Sequence, residues 1–193
     1  TGFFSLSQRI LQIPMMLIGG SVGQVYFQEA KEVRDKSDAL RLLTKSVNQK
    51  LLLIGLFPVS TILIAGDHIF ALVFGDEWAV AGVFAQSLAI WIYIVFISSP
   101  LSQLMTVLDK QRELLFFNSI LFTARLGWIL WAGFMFGNAE LVVVGYGVIG
   151  SVIWLRFVFY VMHLAGISAS EIFRQILPFS VIVIGATIIG YFI

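Results

Sequence analysis

Long apolar segments restrict the folds that this chain can adopt. Segments of roughly 20 apolar residues cross the hydrocarbon core of a bilayer, and six such segments occur here: 2–27, 51–66, 79–108, 114–136, 141–164 and 176–193. They must be helical in lipid, because no water is present there to hydrogen-bond the peptide groups. Only 12% of the residues are charged, against about 25% in soluble domains. We therefore predict an all-α integral membrane protein, a polytopic bundle of about six transmembrane helices.

The chain begins and ends inside apolar sequence. We therefore expect residues 1–193 to form a single transmembrane lobe of a longer, two-lobe chain. The sequence contains no cysteine, which excludes disulfides, thiolate catalysis and Cys-ligated metals.

The connector of residues 28–50 is the longest and is rich in charges. Its apolar residues recur at helical spacing, opposite Arg41 and Lys45: Leu40, Leu43 and Val47. This pattern is typical of a helix lying at the membrane surface, and Ser37 has the side chain of a helix N-cap. We predict a separate amphipathic helix in this connector.

The basic residues alternate between connectors. Those after the first, third and fifth predicted spans hold nine Lys and Arg residues, and those after the second and fourth hold none. Because cytoplasmic loops are enriched in Lys and Arg, we predict that residues 28–50 face the cytoplasm. Thr1 and the connectors 67–78 and 137–140 are then predicted to lie outside.

The charges inside the predicted spans all have one sign. All eleven acidic residues fall in connectors or at span ends, whereas three arginines lie within spans: Arg9, Arg125 and Arg156. A bundle with only positive intramembrane charges is suited to holding an anion. Alternatively, Arg125 and Arg156 extend to an interface or bond loop carbonyls.

Arg9 shares one face of its helix with other polar and small residues. At 100° per residue, these fall within about 80° of one another: Ser5, Arg9, Gln12, Gly19 and Gly23. This stripe either lines a cavity or makes a close helix contact through its two glycines.

A glycine motif in the fifth span has two interpretations. The sequence GYGVIG at 145–150 matches the GxGxxG turn of dinucleotide-binding folds. Here it lies in a 24-residue apolar stretch with no solvated face, so close helix packing is the better interpretation. His68 and His163 lack partners at metal-ligand spacing and are interpreted as interfacial residues, so we expect no metal.

The order of these segments carries a resemblance. The helix FFSLSQRILQIPMMLIGGSVGQVYF, the basic connector and LVFGDEWAVAG ahead of the third span resemble the C-terminal half of Wzx-type polysaccharide flippases. These belong to the multidrug/oligosaccharidyl-lipid/polysaccharide exporter superfamily. The likeness covers nearly the whole chain, and its most specific parts are the Arg9-x4-Pro14 spacing and the Phe74-Gly75-x-x-Trp78 turn.

The resemblance implies transport without catalysis, so neither an enzymatic activity nor a cofactor is expected. The cargo would be an undecaprenyl-pyrophosphate-linked oligosaccharide, moved across the bacterial plasma (inner) membrane by alternating access for O-antigen, lipopolysaccharide or other surface polysaccharide synthesis. The implied partners are this lipid-linked oligosaccharide, the lipid bilayer, an N-terminal lobe of the same chain and polysaccharide-assembly proteins. No nucleic acid is expected.

The resemblance also implies roles for individual residues. Arg9 would bind the pyrophosphate in a cationic cavity, and Gln12 on the same face would contact sugar or phosphate. Arg125 joins these substrate-binding candidates because of its intramembrane charge. Three residues rank below them: Gln24, Asn118 and Arg156.

Two rival functions belong to other classes. A cation-coupled multidrug antiporter of the same superfamily would be expected to bury a carboxylate for its ion. A membrane enzyme, such as a polysaccharide polymerase, would need acids or histidines on a sizeable outer loop, and the outer connectors here are short. A purely structural anchor has no use for three intramembrane arginines and ranks last.

Overall fold

The computed structural model describes residues 2–136 and 139–192. Within these ranges the chain is helical, which confirms the predicted all-α class. The helices are α1 (Gly2–Glu32), α2 (Ser37–Phe74), α3 (Ala79–Leu101), α4 (Gln103–Val107), α5 (Gln111–Phe136), α6 (Ala139–Leu164) and α7 (Ala169–Phe192). A short 3-10 turn, Asp76–Trp78, precedes α3.

The number of helices that could cross a membrane agrees with the sequence prediction. Five segments of the described chain are long and apolar enough: α2, the stretch Asp76–Val107 that contains α3 and α4, α5, α6 and α7. Helix α1 makes a sixth when its parts, Ser5–Ile13 and Met15–Glu32, are counted as one span bent by 40°. The bend lies between Ile13 and Met15.

The predicted separate helix at residues 28–50 is not present. Instead α1 continues to Glu32, and α2 runs from Ser37 into the second predicted span and is kinked at Ala65, where the backbone is non-helical. The part before the kink, residues 37–64, extends about 42 Å, beyond a hydrocarbon core of about 30 Å. The predicted N-cap is also wrong by one position, since Lys36 is the N-cap and makes no side-chain capping bond.

Contacts with other helices explain why this region does not form a surface helix. Leu40, Thr44 and Asn48 are buried within the bundle. The hydroxyls of Tyr26 on α1 and Thr44 share a hydrogen bond of 2.8 Å, and Asn48 donates to Gln175 on α7 at 3.0 Å. The amphipathic pattern therefore records packing against helices rather than against lipid headgroups.

Helix α3 occupies the centre of the bundle. It packs against α1, α2 and α6, while α5 packs mainly on α6 and α7 mainly on α2. Over its apolar window, the Asp76–Val107 span is 56% buried and α5 only 6%. Helix α5 is therefore peripheral, and its outward aromatic residues, among them Phe122 and Phe134, are suited to contact lipid.

The glycines of the 145–150 motif allow α6 to pack closely against its neighbouring helices. A side chain at Gly145 would collide with the Trp128 indole of α5, and one at Gly147 would lie 3.0 Å from the Ser87 carbonyl oxygen of α3. The packing interpretation of this motif is therefore confirmed.

The first, third and fifth connectors meet at one end of the bundle, which we call the basic end. Arg34 pairs with Asp109 at 2.7 Å, and Arg41 on α2 pairs with Glu171 on α7 at 2.6 Å. Helices that run alternately up and down place every second connector at the same end of the bundle, as these connectors are. That the basic end faces the cytoplasm stays a prediction, and residues 137–138 of the opposite connector lie outside the described residues.

Candidate functional site

The first turns of α1 present Arg9 away from the rest of the bundle. Ser7 and Leu11, on the other side of the same turns, are buried against α3, where Ser7 donates to the carbonyl of Ala81. The Arg9 side chain is exposed and has no hydrogen bond or ion pair with any residue that the structure describes. Arg9 is thus free to meet a group outside this lobe.

The predicted polar stripe on α1 is divided by the bend at Pro14. Before the bend, Ser5 and Arg9 are exposed. After it, the stripe turns toward α3: a side-chain carbon added at Gly19 would lie 3.7 Å from Phe96, and one at Gly23 would lie 3.5 Å from the Pro100 backbone. The first half can therefore line a cavity beside this lobe, whereas the second half makes a close helix contact.

Gln12 lies between these halves, at a small cavity. It is half-buried, and the cavity of about 200 Å³ is also lined by Trp91 and Ser99 of α3. Gln12 is therefore within reach of both the inner wall of α3 and the exposed side of α1.

Arg125 occupies a different place, enclosed between α3, α5 and α6. Its guanidinium carbon lies 4.1 Å from the ring centre of Trp91 and 3.7 Å from that of Tyr146. Such stacking is a cation–π contact. Arg125 is only 8% exposed, and its Nε and Nη2 atoms have no hydrogen-bond partner among the described residues. Gly150 makes the arrangement possible, because any side chain there would collide with Arg125 Nη2.

The three lower-ranked candidates do not join either group. Gln24 and Arg156 are exposed on α1 and α6. Asn118 is exposed on α5 and donates to the Leu114 carbonyl of its own helix at 2.9 Å. The structure therefore brings Arg9 and Gln12 to neighbouring turns of one helix, whereas Arg125 lies on α5 against Trp91, a residue that also lines the Gln12 cavity.

Two polar features were missed by the sequence analysis. Asp67 was assigned to a connector, but it lies in α2, two residues after the kink at Ala65, where it contacts His68 Nδ1 at 2.9 Å and accepts from Gln86 on α3 at 3.4 Å. The buried Asn48–Gln175 pair was also missed. The spacing of Leu40, Thr44 and Asn48 at every fourth residue is the signal that could have placed Asn48 on a buried helix face.

Comparison with known proteins gives one match. Residues 1–83 match the sequence profile of a family described as polysaccharide biosynthesis protein. No curated protein and no solved structure matches the chain significantly. The matched segment contains α1, α2 and the start of α3, and it indicates a role in polysaccharide biosynthesis.

Proposed function

We propose that this protein is a flippase for lipid-linked oligosaccharides. It carries an undecaprenyl-pyrophosphate-linked sugar unit from the cytoplasmic to the outer leaflet of a bacterial inner membrane, for the synthesis of surface polysaccharide. It works by alternating access between this lobe and a second lobe of the same chain, and it catalyses no reaction.

The match of residues 1–83 to polysaccharide biosynthesis proteins is the observation that carries this proposal. Membrane-spanning members of such pathways either assemble sugars or move them. Assembly needs acids or histidines at a common site, and the described chain holds no group of three His, Cys, Asp or Glu residues that could bind a metal. Movement needs a cavity that recognises a lipid diphosphate, for which the exposed arginine of α1 is chemically suited.

Arg9 would recognise the pyrophosphate through its geometry as well as its charge. A guanidinium offers two parallel N–H donors to a pair of phosphate oxygens, whereas an ammonium offers a point charge. Because Arg9 is exposed on the side of α1 that faces away from α3, a second lobe packed there would enclose it in a hydrated cavity. Hydration in the empty state and the diphosphate in the loaded state would offset the cost of an intramembrane charge.

Four versions of position 9 test this role in the protein expressed from its complete gene. The readout is the appearance of a fluorescent undecaprenyl-pyrophosphate sugar in the outer leaflet of proteoliposomes, at matched protein content. Arg9→Lys should retain partial transport, because it loses charge-assisted bonds worth about 1–3 kcal/mol, and Arg9→Ala and Arg9→Gln should be inactive. Arg156→Ala, which removes an exposed arginine from α6, is the matched control and should be milder.

The outcome that contradicts this role is equal transport by Arg9→Gln and Arg9→Lys. Both side chains can donate to a helix carbonyl, but only lysine carries charge, so equality would make Arg9 a structural residue. Failure of the wild-type protein to move the labelled lipid at all would count against the flippase proposal itself.

Asp67 favours a second candidate, the cation-coupled antiporter. This half-exposed carboxylate lies in α2 just after the kink at Ala65, beside His68 and Gln86, and acids in membrane-spanning segments can bind coupling ions. If this candidate is right, Asp67→Asn abolishes cation-driven export of a fluorescent cationic drug, and transport of the lipid-linked sugar is absent. Export that is unaffected by Asp67→Asn would remove the observation on which this candidate depends.

A further inference from the structure

Two cavities adjoin each other between α2 and α7. The first is an apolar slot of about 230 Å³ bounded by α2, α3, α6 and α7. Leu155 and Ile184 on its rim are 38% and 58% exposed, so the slot opens sideways toward lipid. Its walls are almost entirely hydrocarbon and aromatic carbon: Leu52, Ile97, Val158, Ile176, Phe179 and Val183.

The second cavity lies at the basic end and has a different character. Its volume is about 500 Å³, and its walls include Lys45, Glu171, Arg174 and Gln175. Phe179 lines both cavities. An apolar slot thus continues directly into a charged pocket.

The buried pair Asn48–Gln175 stands at the junction. Asn48 lines the apolar slot and Gln175 lines the charged pocket. Asn48 is fully buried and Gln175 is 7% exposed, yet Asn48 Oδ1 and Gln175 Nε2 have no hydrogen-bond partner in the described chain. Buried polar atoms are rarely left unpaired because that is costly, so a molecule that places an acceptor at this junction would satisfy the Gln175 amide N–H.

The charge of the pocket is positive. Glu171 is paired with Arg41 at 2.6 Å and with Lys45 at 3.6 Å, while Arg174 has no ion pair with any described residue. Lys45 and Arg174 against Glu171 give the pocket lining a net charge of +1, and Arg41, which pairs with Glu171 from outside the lining, adds a further positive charge. The pocket therefore has uncompensated charge for an anion beside an unpaired amide donor.

We propose that these cavities bind one anionic phospholipid of the membrane leaflet at the basic end. Its phosphate lies among Lys45, Arg174 and the Gln175 amide, and one acyl chain enters the apolar slot past Phe179. Basic pockets between helices at the cytoplasmic side bind anionic headgroups in this way. This site is separate from Arg9, and it does not depend on the proposed transport function.

The lining of the slot favours a lipid chain over a protein segment. Its walls are almost entirely apolar, so the backbone N–H and C=O groups of an inserted peptide would find few hydrogen-bond partners there. An acyl chain is thinner and flexible, and it can enter from the side on which the slot opens.

Lipid retention measured by native mass spectrometry tests the headgroup contacts. The protein expressed from its complete gene is purified, delipidated and mixed with phosphatidylglycerol or phosphatidylcholine, with no lipid-linked sugar present. Wild-type protein should retain one phosphatidylglycerol in preference to phosphatidylcholine. Removing both charges in Lys45→Gln/Arg174→Gln should weaken this retention by on the order of thirtyfold, whereas Arg174→Lys should retain most of it.

Arg112→Gln is the matched control for charge, because Arg112 is an exposed cation on the first turn of α5 and does not line either cavity. It should bind phosphatidylglycerol as the wild type does. An equal loss in this variant would mean that anionic lipid gathers around the basic end without a defined site, which overturns the proposal.

Filling the slot tests the acyl-chain contacts separately. Ser180→Phe places a ring in the apolar slot, whereas Val181→Phe adds the same ring at a position 61% exposed on α7. Only Ser180→Phe should reduce phosphatidylglycerol retention. Equal retention by both variants, or a wild-type protein that retains no lipid or does not distinguish the two lipids, would overturn the proposal.

Discussion

Replacing Arg125 by methionine is expected to leave the bundle nearly as stable as the wild type. The arginine lies near the middle of α5, and its guanidinium contacts the rings of Trp91 and Tyr146, which meet edge to face. A cation–π contact in a desolvated place contributes about 2 kcal/mol, so two rings contribute about 4 kcal/mol. Placing an arginine at the centre of a span costs about 3 kcal/mol, which leaves a net stabilisation of only about 1 kcal/mol.

Methionine occupies the space beside the two rings without carrying a charge. Its thioether packs favourably against aromatic rings, and volume-conserving swaps in a core usually cost less than about 1.5 kcal/mol. Arg125→Ala, in contrast, leaves a gap beside Trp91 and Tyr146, and large-to-alanine changes in cores cost about 2–5 kcal/mol. The alanine variant should therefore unfold at the lower temperature.

Thermal unfolding in lipid nanodiscs, followed by tryptophan fluorescence, measures this difference. For a domain of this size, 1 kcal/mol corresponds to about 2–4 °C, so a difference of about 2 kcal/mol between the two variants should place the unfolding of Arg125→Ala about 4–8 °C below that of Arg125→Met. Equal loss in both variants would refute the reasoning, because it would assign the stability to the guanidinium itself rather than to the filled space. Loss of transport by Arg125→Met at an unchanged unfolding temperature would assign Arg125 to the substrate, as the sequence pattern predicted.

Two further predictions concern packing and orientation. A methyl group at Gly82 would collide with the Gly66 carbonyl of α2, so Gly82→Ala should destabilise the protein by about 1–3 kcal/mol. Gly127→Ala, where nothing lies within 4 Å, should be neutral or stabilising by up to about 1 kcal/mol in the same unfolding assay; equal loss at both positions would contradict the α2–α3 contact. Because the chain has no native cysteine, Gly75→Cys should react in intact cells with an impermeant thiol reagent added outside and Gln111→Cys should not. The reverse labelling would invert the predicted orientation.

The class of fold was predictable because lipid imposes one rule on every span. A run of about 20 apolar residues must satisfy its own peptide groups, and only a helix does so within one segment. The start of α2 was not predictable in the same way. The apolar face of residues 40–47 has the same spacing whether it covers a membrane surface or packs against α1 and α7, and only the tertiary contacts of Thr44 and Asn48 distinguish the two.

The sequence identified the candidate site residues, but it did not predict their positions relative to one another. A helical wheel assumes a straight axis, and on that assumption Arg9 and Gly23 share a face. Because α1 is bent, this assumption does not hold. The exposed face before the bend and the packed face after it point in different directions. The aromatic enclosure of Arg125 was likewise beyond the sequence, because Trp91 and Tyr146 come from two other helices.

Arg9 and Arg125 illustrate two roles of an intramembrane charge: it can bind a ligand, or it can pack against other side chains of the protein. Arg125 has its compensation inside the lobe, since its guanidinium contacts the rings of Trp91 and Tyr146. Arg9 has no such cover among the described residues, and it stands on the side of α1 that this lobe leaves open. A guanidinium at membrane depth needs counter-groups or water, so Arg9 requires a hydrated cavity, another part of the chain or an anionic ligand beside α1. A flippase cavity that closes around a lipid diphosphate supplies all three.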